Sequence, residues 1–298
     1  MSERSSNTFP STFTTIFSLD IEQCSLQPET TAFIFDIDGV LRDVSGSYRR
    51  ALADTVAHFT QDPLQPEGST GYRPTSQDID QLKAEGLWNN DWEASEELIR
   101  RYFAAHPEQK QPEIAYGQIV NFFQRRYRGQ VLDDPQQWDG YITTEPLIAN
   151  PAYFAALSQA GMRWGFFSGA TRGSASYVLS RLGIRDGVLV AMEDAPGKPD
   201  PTGLLAAVAQ LEQPPQGENA SAPITTVIYV GDTAADMLAA AAAQKADPTR
   251  RYFGVGVIPP HISPTEEKDY AAMLQRNGAA VVCQRILDVT LRGLSNGG

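Results

Sequence analysis

Three short, continuous apolar runs along the chain each stop abruptly at a polar residue or a glycine. A run of this kind is typical of a parallel β-strand that is buried on both faces. The pattern therefore predicts three central strands of a parallel sheet, each followed directly by polar groups. The runs extend over 31–35, 163–167 and 226–230, and they stop at Asp36, Ser168 and Gly231-Asp232.

Helical patterns alternate with these strands and with three weaker ones. Asn150 and Pro151 are the residue types of a helix N-cap and first turn, and Gly161 is that of a helix end. The alternation predicts an α/β fold, a doubly wound parallel sheet with a Rossmann-like core. The weaker strands are predicted at 187–192, 252–257 and 279–283, and the helices at 152–160, 172–182, 201–211 and 233–244.

The region from 44 to 144 shows helical patterns and no convincing strand. Asn90 followed by Glu93 resembles a capping box, and Gly86 resembles a helix end. We therefore expect an all-helical domain at 44–144, inserted into an α/β core formed by 31–43 and 145–298. Residues 1–30 are expected to form a partly irregular N-terminal extension. The helices of the insert are predicted at 48–60, 76–85, 91–105 and 112–128.

Composition and charge exclude several classes of function. Of the 298 residues 42% are hydrophobic and 20% charged, and no apolar stretch is long enough to span a membrane. The net charge of −12 and the short basic clusters argue against nucleic-acid binding. The N-terminus lacks the basic and apolar regions of a secretory signal. We therefore expect a cytoplasmic protein without nucleic-acid or membrane partners.

The cysteines and histidines show no pattern of disulfide or metal chemistry. Cys24 and Cys283 are expected to be reduced thiols. His58, His106 and His261 are far apart and share no metal-ligand spacing, so structural or surface roles are expected.

The residues that end the strands carry the candidate chemistry. Ligands of open parallel sheets bind at the carboxyl ends of the strands. Asp36, Ser168 and Asp232 are expected to meet there, with Lys198 from a nearby loop. This grouping suits phosphoryl transfer through an aspartyl-phosphate. Because a carboxylate and a phosphate dianion repel each other, a cation such as Mg²⁺ has to bridge them.

The residues near Asp36 have the types that such a reaction needs. Asp38 is placed to protonate the leaving oxygen and later to activate water, because residues i and i+2 of an extended chain share a side. Gly39 permits a close turn around the phosphate. Ser168 can donate a hydrogen bond to a phosphate oxygen, and Lys198 supplies positive charge.

Four motifs, in order, resemble those of the haloacid dehalogenase superfamily. Its first motif, DxDG(T/V), is similar to DIDGV from Asp36, and its second, an apolar strand ending in Thr or Ser, to FFSG ending at Gly169. Lys198 fits the third motif, and GDTAAD from Gly231 fits the fourth, GDxxxD. The resemblance extends over the core from about residue 31 to 294 and does not explain residues 1–30.

The resemblance implies a role for each matching residue. Asp36 would be the nucleophile and a Mg²⁺ ligand, and Asp38 the general acid and base, with its backbone carbonyl also reaching the metal. Asp232 would complete the metal site, and Asp236 would be a ligand through water or would orient the ligands. The phosphate-binding residues that the resemblance implies are Ser168, Gly169 and Lys198.

The resemblance also implies that the helical insert is a cap that excludes water and contacts the substrate. Family members of this kind hydrolyse small phosphorylated metabolites, and some are phosphoglucomutases. Three residues are candidates for substrate contacts, each with a structural alternative. For Arg42 the alternative is a solvated hinge residue, and for Arg172 a surface residue in the first turn of a helix. Asn89 stands between two tryptophans that we expect to pack, and its alternative is a helix cap.

The catalytic residues also have simpler explanations. Asp36 and Asp38 would otherwise form an ordinary Asp-Gly turn. Ser168 and Asp232 would otherwise be helix N-caps, and Asp236 a solvated residue. The agreement of four motifs in order favours the catalytic interpretation.

The sequence therefore predicts a Mg²⁺-dependent phosphatase that hydrolyses a small phosphorylated metabolite through a phosphorylated Asp36. A haloacid dehalogenase would use the same nucleophile on carbon but would need neither Asp38 nor the metal, so the presence of Asp38 and Asp232 argues against it. A phosphomutase would keep every motif. A non-catalytic phosphometabolite-binding protein would be favoured by the loss of a catalytic residue, and none is lost. The substrate, the oligomeric state and the role of residues 1–30 do not follow from the sequence.

Overall fold

The chain divides into two compact units. The computed structural model describes residues 19–20, 26–61, 71–85, 87–88, 90–109, 112–213 and 222–290. One unit, here called the helical unit, is Val44–Pro146, and the other, the sheet unit, comprises Met1–Asp43 and Leu147–Gly298. Cys24, Gly86 and Asn89 lie outside the described residues, as does most of the predicted N-terminal extension.

The helical unit contains four α-helices and no strand in its described residues. Tyr48 on the first helix stacks on Tyr127 of the fourth, with 4.3 Å between ring centroids, and the third helix packs against both. Asn90 caps the third helix by accepting a hydrogen bond from the N–H of Trp92, so the predicted capping box with Glu93 is wrong. The helices are α1 (Tyr48–Phe59), α2 (Ser76–Ala84), α3 (Asp91–Ala105) and α4 (Tyr116–Tyr127).

The described part of the sheet unit holds a six-stranded parallel sheet and a separate two-stranded one. The small sheet pairs β1 (Leu19–Asp20) with the last strand, β8 (Val289–Thr290). The strands of the large sheet are β2 (Thr31–Phe35), β3 (Arg163–Phe167), β4 (Val188–Val190), β5 (Thr226–Gly231), β6 (Arg251–Val257) and β7 (Ala279–Cys283). They lie in the order β4-β3-β2-β5-β6-β7 with every neighbouring pair parallel. The predicted doubly wound α/β fold is confirmed.

Helices cover both faces of the large sheet. Phe33 and Phe35 point into a cluster with residues such as Phe154, whereas Ala32 and Ile34 point into a second cluster on the other face. Burial of a large apolar side chain stabilises the fold by roughly 1.5–3 kcal/mol. Because both faces of β2 are covered, apolar residues are favoured at every position of this strand, which is therefore a continuous apolar run. The helices are α5 (Pro151–Gln159), α6 (Arg172–Arg181), α7 (Thr202–Leu211), α8 (Ala234–Ala246) and α9 (Glu267–Arg276). The apolar residues of α5 and α6 line the first cluster, and those of α7 and α8 the second.

The register of the strands determines where their ends meet. Phe35 pairs with Phe166 on one side and with Val230 on the other. Asp36 therefore lies at the same edge of the sheet as the ends of β3 and β5. Asn150 caps α5 through the N–H of Tyr153, as predicted. No helix in the described part of the chain combines the length and the apolar character needed to cross a membrane.

Candidate active site

Strand β2 ends at Phe35, directly before the candidate nucleophile, Asp36. The Asp36 N–H donates to the carbonyl of Val230 at 2.8 Å, so the residue continues the pairing with β5. Its Oδ1 accepts a hydrogen bond from the N–H of Ile37 at 2.7 Å, and its Oδ2 lies 2.8 Å from Nζ of Lys198. Both oxygens of this buried carboxylate are thus held in place at the edge of the sheet.

Lys198 reaches the same place from the loop that follows β4. Its Nζ lies 2.8 Å from Oδ2 of Asp36 and 2.6 Å from Oδ1 of Asp236. The ammonium also faces the rings of Phe167 and Tyr229, at 5.2 and 5.6 Å from their centroids. Burial alone would lower the pKa of Lys198, but the two carboxylates raise that pKa above its usual value. Lys198 is therefore a fixed positive charge shared by two carboxylates.

Asp236, in the first turn of α8, is surrounded by donors. The N–H and the hydroxyl of Thr233 donate to its Oδ2 at 2.9 and 2.6 Å, and the hydroxyl of Tyr229 donates to its Oδ1 at 2.8 Å. Asp236 is fully buried, so the alternative of a solvated residue is wrong, and Thr233 rather than Asp232 caps the helix. Burial would raise the pKa of Asp236, but Lys198 and Thr233 hold that pKa below its usual value.

Asp232 differs from Asp236 in having no such partners. The hydroxyl of Tyr270 on α9 donates to its backbone carbonyl at 2.9 Å, but its buried carboxylate forms no hydrogen bond or ion pair with any residue that the structure describes. Burial, followed by the charges of Asp236 and Asp36, raises the pKa of Asp232 well above its usual value. Gly39, at φ +74°, gives it room, because a Cβ at that position would lie 2.0 Å from Oδ2 of Asp232.

The three carboxylates together form a buried cluster with excess negative charge. One oxygen from each of Asp36, Asp232 and Asp236 lies within 4.8 Å of the other two. Among the described residues, Lys198 alone forms ion pairs with them. Burial and the neighbouring carboxylates raise the pKa of Asp36 to about 7, despite the opposing effect of Lys198. Three carboxylates against one ammonium leave a charge that one divalent cation would balance, and the oxygen donors fit a hard cation.

Asp38, the candidate acid and base, is held by Arg42. Nε of Arg42 donates to Oδ1 of Asp38 at 2.6 Å, and Nη2 lies 2.6 Å from the same oxygen as an ion-pair contact. The Arg42 side chain is fully buried, so the alternative of a solvated hinge residue is wrong. In this structure its guanidinium contacts the acid/base candidate.

Ser168 and Gly169 follow β3 at the same edge. The N–H of Ser168 donates to the carbonyl of Val190 at 3.0 Å, and its hydroxyl oxygen accepts from the N–H of Ala170 at 3.1 Å. Helix α6 begins later, at Arg172, so Ser168 is not its N-cap. A Cβ built on Gly169 would meet nothing within 4 Å, so a ligand can approach this stretch of backbone closely.

Arg172 is engaged in an ion pair, and Asn89 lies outside the described residues. The guanidinium of Arg172 donates to the Asp194 carboxylate, and its backbone N–H donates to Oε2 of Glu193 at 2.8 Å. Its side chain is half exposed. The structure thus gives Arg172 local carboxylate partners at the start of α6.

Three residues that contact the site, Thr233, Tyr229 and Tyr270, are not identified from the sequence. Thr233 and Asp236 have the S/T-x-x-D/E spacing of a capping box, a signal that would have placed both at the start of α8. In the sequence, Tyr229 looks like the other apolar residues of its strand. Tyr270 belongs to a helix that the sequence analysis does not predict. Their hydroxyl contacts depend on tertiary packing.

One curated relative matches part of the chain. This chain is 28% identical over 211 residues to an imidazoleglycerol-phosphate dehydratase from Phytophthora nicotianae. The match covers 70% of this chain but only 40% of that protein. The chain thus corresponds to less than half of the relative's length.

Solved structures share the fold along most of the chain. A putative haloacid dehalogenase-like hydrolase from Bacteroides fragilis is similar with a TM-score of 0.54 and 18% identity, covering 88% of this chain and 99% of that one. A hydrolase of the same family from Deinococcus radiodurans, solved with phosphate and sodium, gives 0.56 and 19%, covering 88% and 93%. A putative β-phosphoglucomutase from Thermotoga maritima gives 0.52 and 15%, covering 87% and 96%.

The family itself is shown by a match to its sequence model. The model of the haloacid dehalogenase-like hydrolases matches residues 30–244, a range that holds every strand-end residue of the site. The fold, the edge of the sheet and the order of the motifs agree with this match. The chain belongs to the haloacid dehalogenase-like hydrolase family.

Proposed function

We propose that the protein is a Mg²⁺-dependent phosphatase that hydrolyses a small phosphomonoester through a phosphorylated Asp36. The observation that carries the proposal is the buried cluster of Asp36, Asp232 and Asp236, whose charge Lys198 balances only in part. Three buried carboxylates at such short range favour a bound cation, and that cation together with Lys198 would attract a phosphate group.

The three carboxylates have different roles in metal binding. Asp36 and Asp232, with the backbone carbonyl of Asp38, would hold Mg²⁺, because the carboxylate of Asp232 forms no hydrogen bond or ion pair with the described residues. Asp236 already accepts hydrogen bonds from Tyr229 and Thr233 on its two oxygens, so it orients the cluster rather than binding directly. When bound, Mg²⁺ would neutralise charge on the phosphate and on the attacking carboxylate.

The reaction proceeds in two displacements at phosphorus. An oxygen of Asp36 forms a bond to phosphorus, and the bond from phosphorus to the alcohol oxygen breaks while Asp38 gives that oxygen a proton. A water molecule then attacks the phosphorus, Asp38 takes its proton, and the bond to Asp36 breaks to release inorganic phosphate. The enzyme returns to its starting protonation state.

Lys198 and the Ser168–Gly169 segment bind the phosphate. The ammonium of Lys198, next to Oδ2 of Asp36, lies where negative charge builds up on the transferring group. The hydroxyl of Ser168 can donate to a phosphate oxygen, and the open backbone at Gly169 lets that oxygen approach. These groups serve both displacements, because the phosphoryl group stays in the same place.

The helical unit is assigned the selection of the substrate. It begins at Val44, six residues after Asp38, which is where helical caps are inserted in the subgroup that the motifs resemble. The groups at the edge of the sheet recognise only the phosphate, so we assign the substrate to the class of small phosphorylated metabolites and no further. Arg172 and Asn89 remain candidates for substrate contacts.

The test is phosphate release from a panel of metabolite phosphates, which includes imidazoleglycerol phosphate because of the relative described above, and p-nitrophenyl phosphate. Wild type, Asp36→Asn and the matched control Asp186→Asn, an exposed carboxylate of the same unit, are assayed with Mg²⁺ or with EDTA. We expect turnover by wild type and Asp186→Asn only with Mg²⁺, and none by Asp36→Asn. Phosphate release by Asp36→Asn at the wild-type rate would show that Asp36 is not the nucleophile.

Two further measurements on the same panel, product analysis for isomers and direct binding, separate the two alternatives that the sequence left open. A phosphomutase would convert a sugar phosphate into an isomer with little phosphate release. A binding protein would bind panel members without turning any of them over.

A further inference from the structure

The contact between Arg42 and Asp38 joins a buried charge to a partly exposed one. The side chain of Arg42 has no exposed surface, whereas that of Asp38 is 27% exposed. Nε and Nη2 of Arg42 both lie 2.6 Å from Oδ1 of Asp38, and neither contact uses Oδ2. Arg42 therefore holds only one of the two carboxylate oxygens of Asp38, and it does so from the buried side.

The backbone of the turn keeps the two residues in this arrangement. The N–H of Leu41 donates to the carbonyl of Ile37 at 2.8 Å, and the N–H of Gly39 donates to the carbonyl of Arg42 at 2.9 Å. The N–H of Ile148 also donates to the carbonyl of Leu41 at 2.8 Å, which ties the end of the turn to the returning chain. Arg42 is thus four residues from Asp38 on a closed turn, not on a free loop.

A buried guanidinium is costly, so its retention calls for a compensating role. Arginine stays protonated in proteins, and its burial is tolerated only with good hydrogen-bonded partners. A carboxylate that transfers protons needs one oxygen in a defined place, and an unrestrained Asp side chain rotates about its last torsion. The pairing of Arg42 with Oδ1 removes that freedom.

We propose that Arg42 is a positioning residue for proton transfer by Asp38. By holding Oδ1, it keeps Oδ2 facing the leaving-group oxygen in the first displacement and the attacking water in the second. In the first step the proton passes from Oδ2 to the alcohol oxygen as the phosphorus–oxygen bond breaks. In the second it passes from water back to Oδ2. The inference rests on the proposed phosphatase function and gives Arg42 a role in proton transfer rather than in phosphate binding.

Such a role predicts an effect that depends on the leaving group. An alkyl phosphate must receive a proton as its alcohol departs, whereas p-nitrophenolate leaves without one. The ratio kcat/KM covers the chain of steps up to formation of phosphorylated Asp36. Loss of Arg42 should therefore lower kcat/KM for glycerol phosphate and leave that for p-nitrophenyl phosphate nearly intact.

The experiment compares wild type, Arg42→Met, Arg42→Lys and the control Arg185→Lys, an exposed arginine of the same unit, on both substrates with Mg²⁺. We expect Arg42→Met to lose about 10²-fold in kcat/KM on glycerol phosphate, the lower end of general acid catalysis, and only a few-fold on p-nitrophenyl phosphate. Arg42→Lys, which keeps the charge but a single contact point, should fall between. Arg185→Lys should match wild type on both.

Several outcomes would overturn the inference. Equal losses of kcat/KM on the two substrates would make Arg42 structural, and a higher KM on both with unchanged kcat would make it a phosphate ligand. If Arg42→Met does not fold, which thermal unfolding reveals, a wild-type ratio between the two substrates in Arg42→Lys contradicts the proposal. A wild type that releases phosphate from neither substrate would instead refute the proposed function, and the inference with it.

Discussion

The two aspartates of the fourth motif face opposite conditions although they are four residues apart. Asp236 accepts hydrogen bonds from Thr233 and Tyr229 and pairs with Lys198. The carboxylate of Asp232 has no such partner among the described residues, and Gly39 leaves space beside it. The pKa of Asp236 is held down while that of Asp232 is raised.

This difference shows how the fold divides the neutralisation of charge. On the side of Asp236, the chain supplies its own cation and donors, and the geometry is fixed before any ligand arrives. On the side of Asp232, negative charge is left for a ligand to balance. Preorganisation on one side and unmet charge on the other are what a metal-dependent phosphoryl-transfer site requires.

Removing the ammonium of Lys198 should have the largest effect on the cluster. Lys198→Met would remove the buried ion-pair partner of Asp36 and Asp236, so we expect kcat/KM to fall about 10²–10³-fold and stability to fall by roughly 3–5 kcal/mol. Lys245→Met, an exposed lysine on α8, is the matched control and should change neither quantity. Phosphate release and chemical denaturation with Mg²⁺ present measure both. Unchanged activity in Lys198→Met would contradict the assignment of this ammonium.

Removing the unpartnered carboxylate should have the opposite effect on the metal-free protein. Asp232→Asn relieves buried repulsion, so in EDTA we expect this variant to be more stable than wild type at pH 8. Mg²⁺ at 100 times its Kd should stabilise wild type by about 2.7 kcal/mol and the variant by much less. Thermal unfolding with and without Mg²⁺ gives the four values. Equal stabilisation of both proteins by Mg²⁺ would show that Asp232 is not a ligand.

The pH dependence of the metal-free protein follows from Asp36. Its pKa rises from the ordinary 3.8 to about 7 on folding, so the folded state binds the proton more tightly than the unfolded state. This contribution to stability is full below about pH 4 and is lost as the pH rises through about 7. In EDTA, Asp36→Asn should therefore gain stability relative to wild type between pH 5 and pH 8. A difference in Tm that does not change with pH would contradict the raised pKa.

The smallest expected effect concerns the hydroxyl that Asp236 accepts. Tyr229→Phe removes one hydrogen bond to a buried carboxylate, which should cost about 1.5–3 kcal/mol and lower kcat several-fold. Tyr252→Phe is the matched control, because Tyr252 lies on β6 of the same sheet and its hydroxyl donates to Asp247 at the end of α8, away from the cluster. It should lose stability without losing turnover. Equal loss of kcat in the two variants would show that Tyr229 has only a structural role.

The sequence predicts the sheet, and the edge at which the candidate residues lie, because both follow from local patterns. Strand 31–35 appears as a continuous apolar run, and it is buried on both faces as that pattern implies. Once neighbouring parallel strands are in register, Asp36 and Asp232 have to lie at one edge, whatever the rest of the chain does.

What the sequence does not reveal depends on contacts across the fold. Helix α9 has an apolar face formed by Tyr270, Met273 and Leu274, but only Leu274 is fully buried, and the sequence analysis does not recognise the helix. The pairing of Arg42 with Asp38 requires a turn whose closure depends on Ile148, more than a hundred residues away. The contact of Tyr229 with Asp236 could not be predicted, because a tyrosine in an apolar strand looks like a core residue.

Nucleophilic attack by Asp36 can be observed in a variant that cannot complete the second displacement. Asp38→Asn lacks the base that activates water, but p-nitrophenolate leaves without an acid. With Mg²⁺ and p-nitrophenyl phosphate, we expect a burst of nearly one p-nitrophenolate per enzyme and, after acid quenching, one phosphate on the peptide that contains Asp36. An active wild type whose Asp38→Asn variant showed neither the burst nor the phosphorylated peptide would contradict the account.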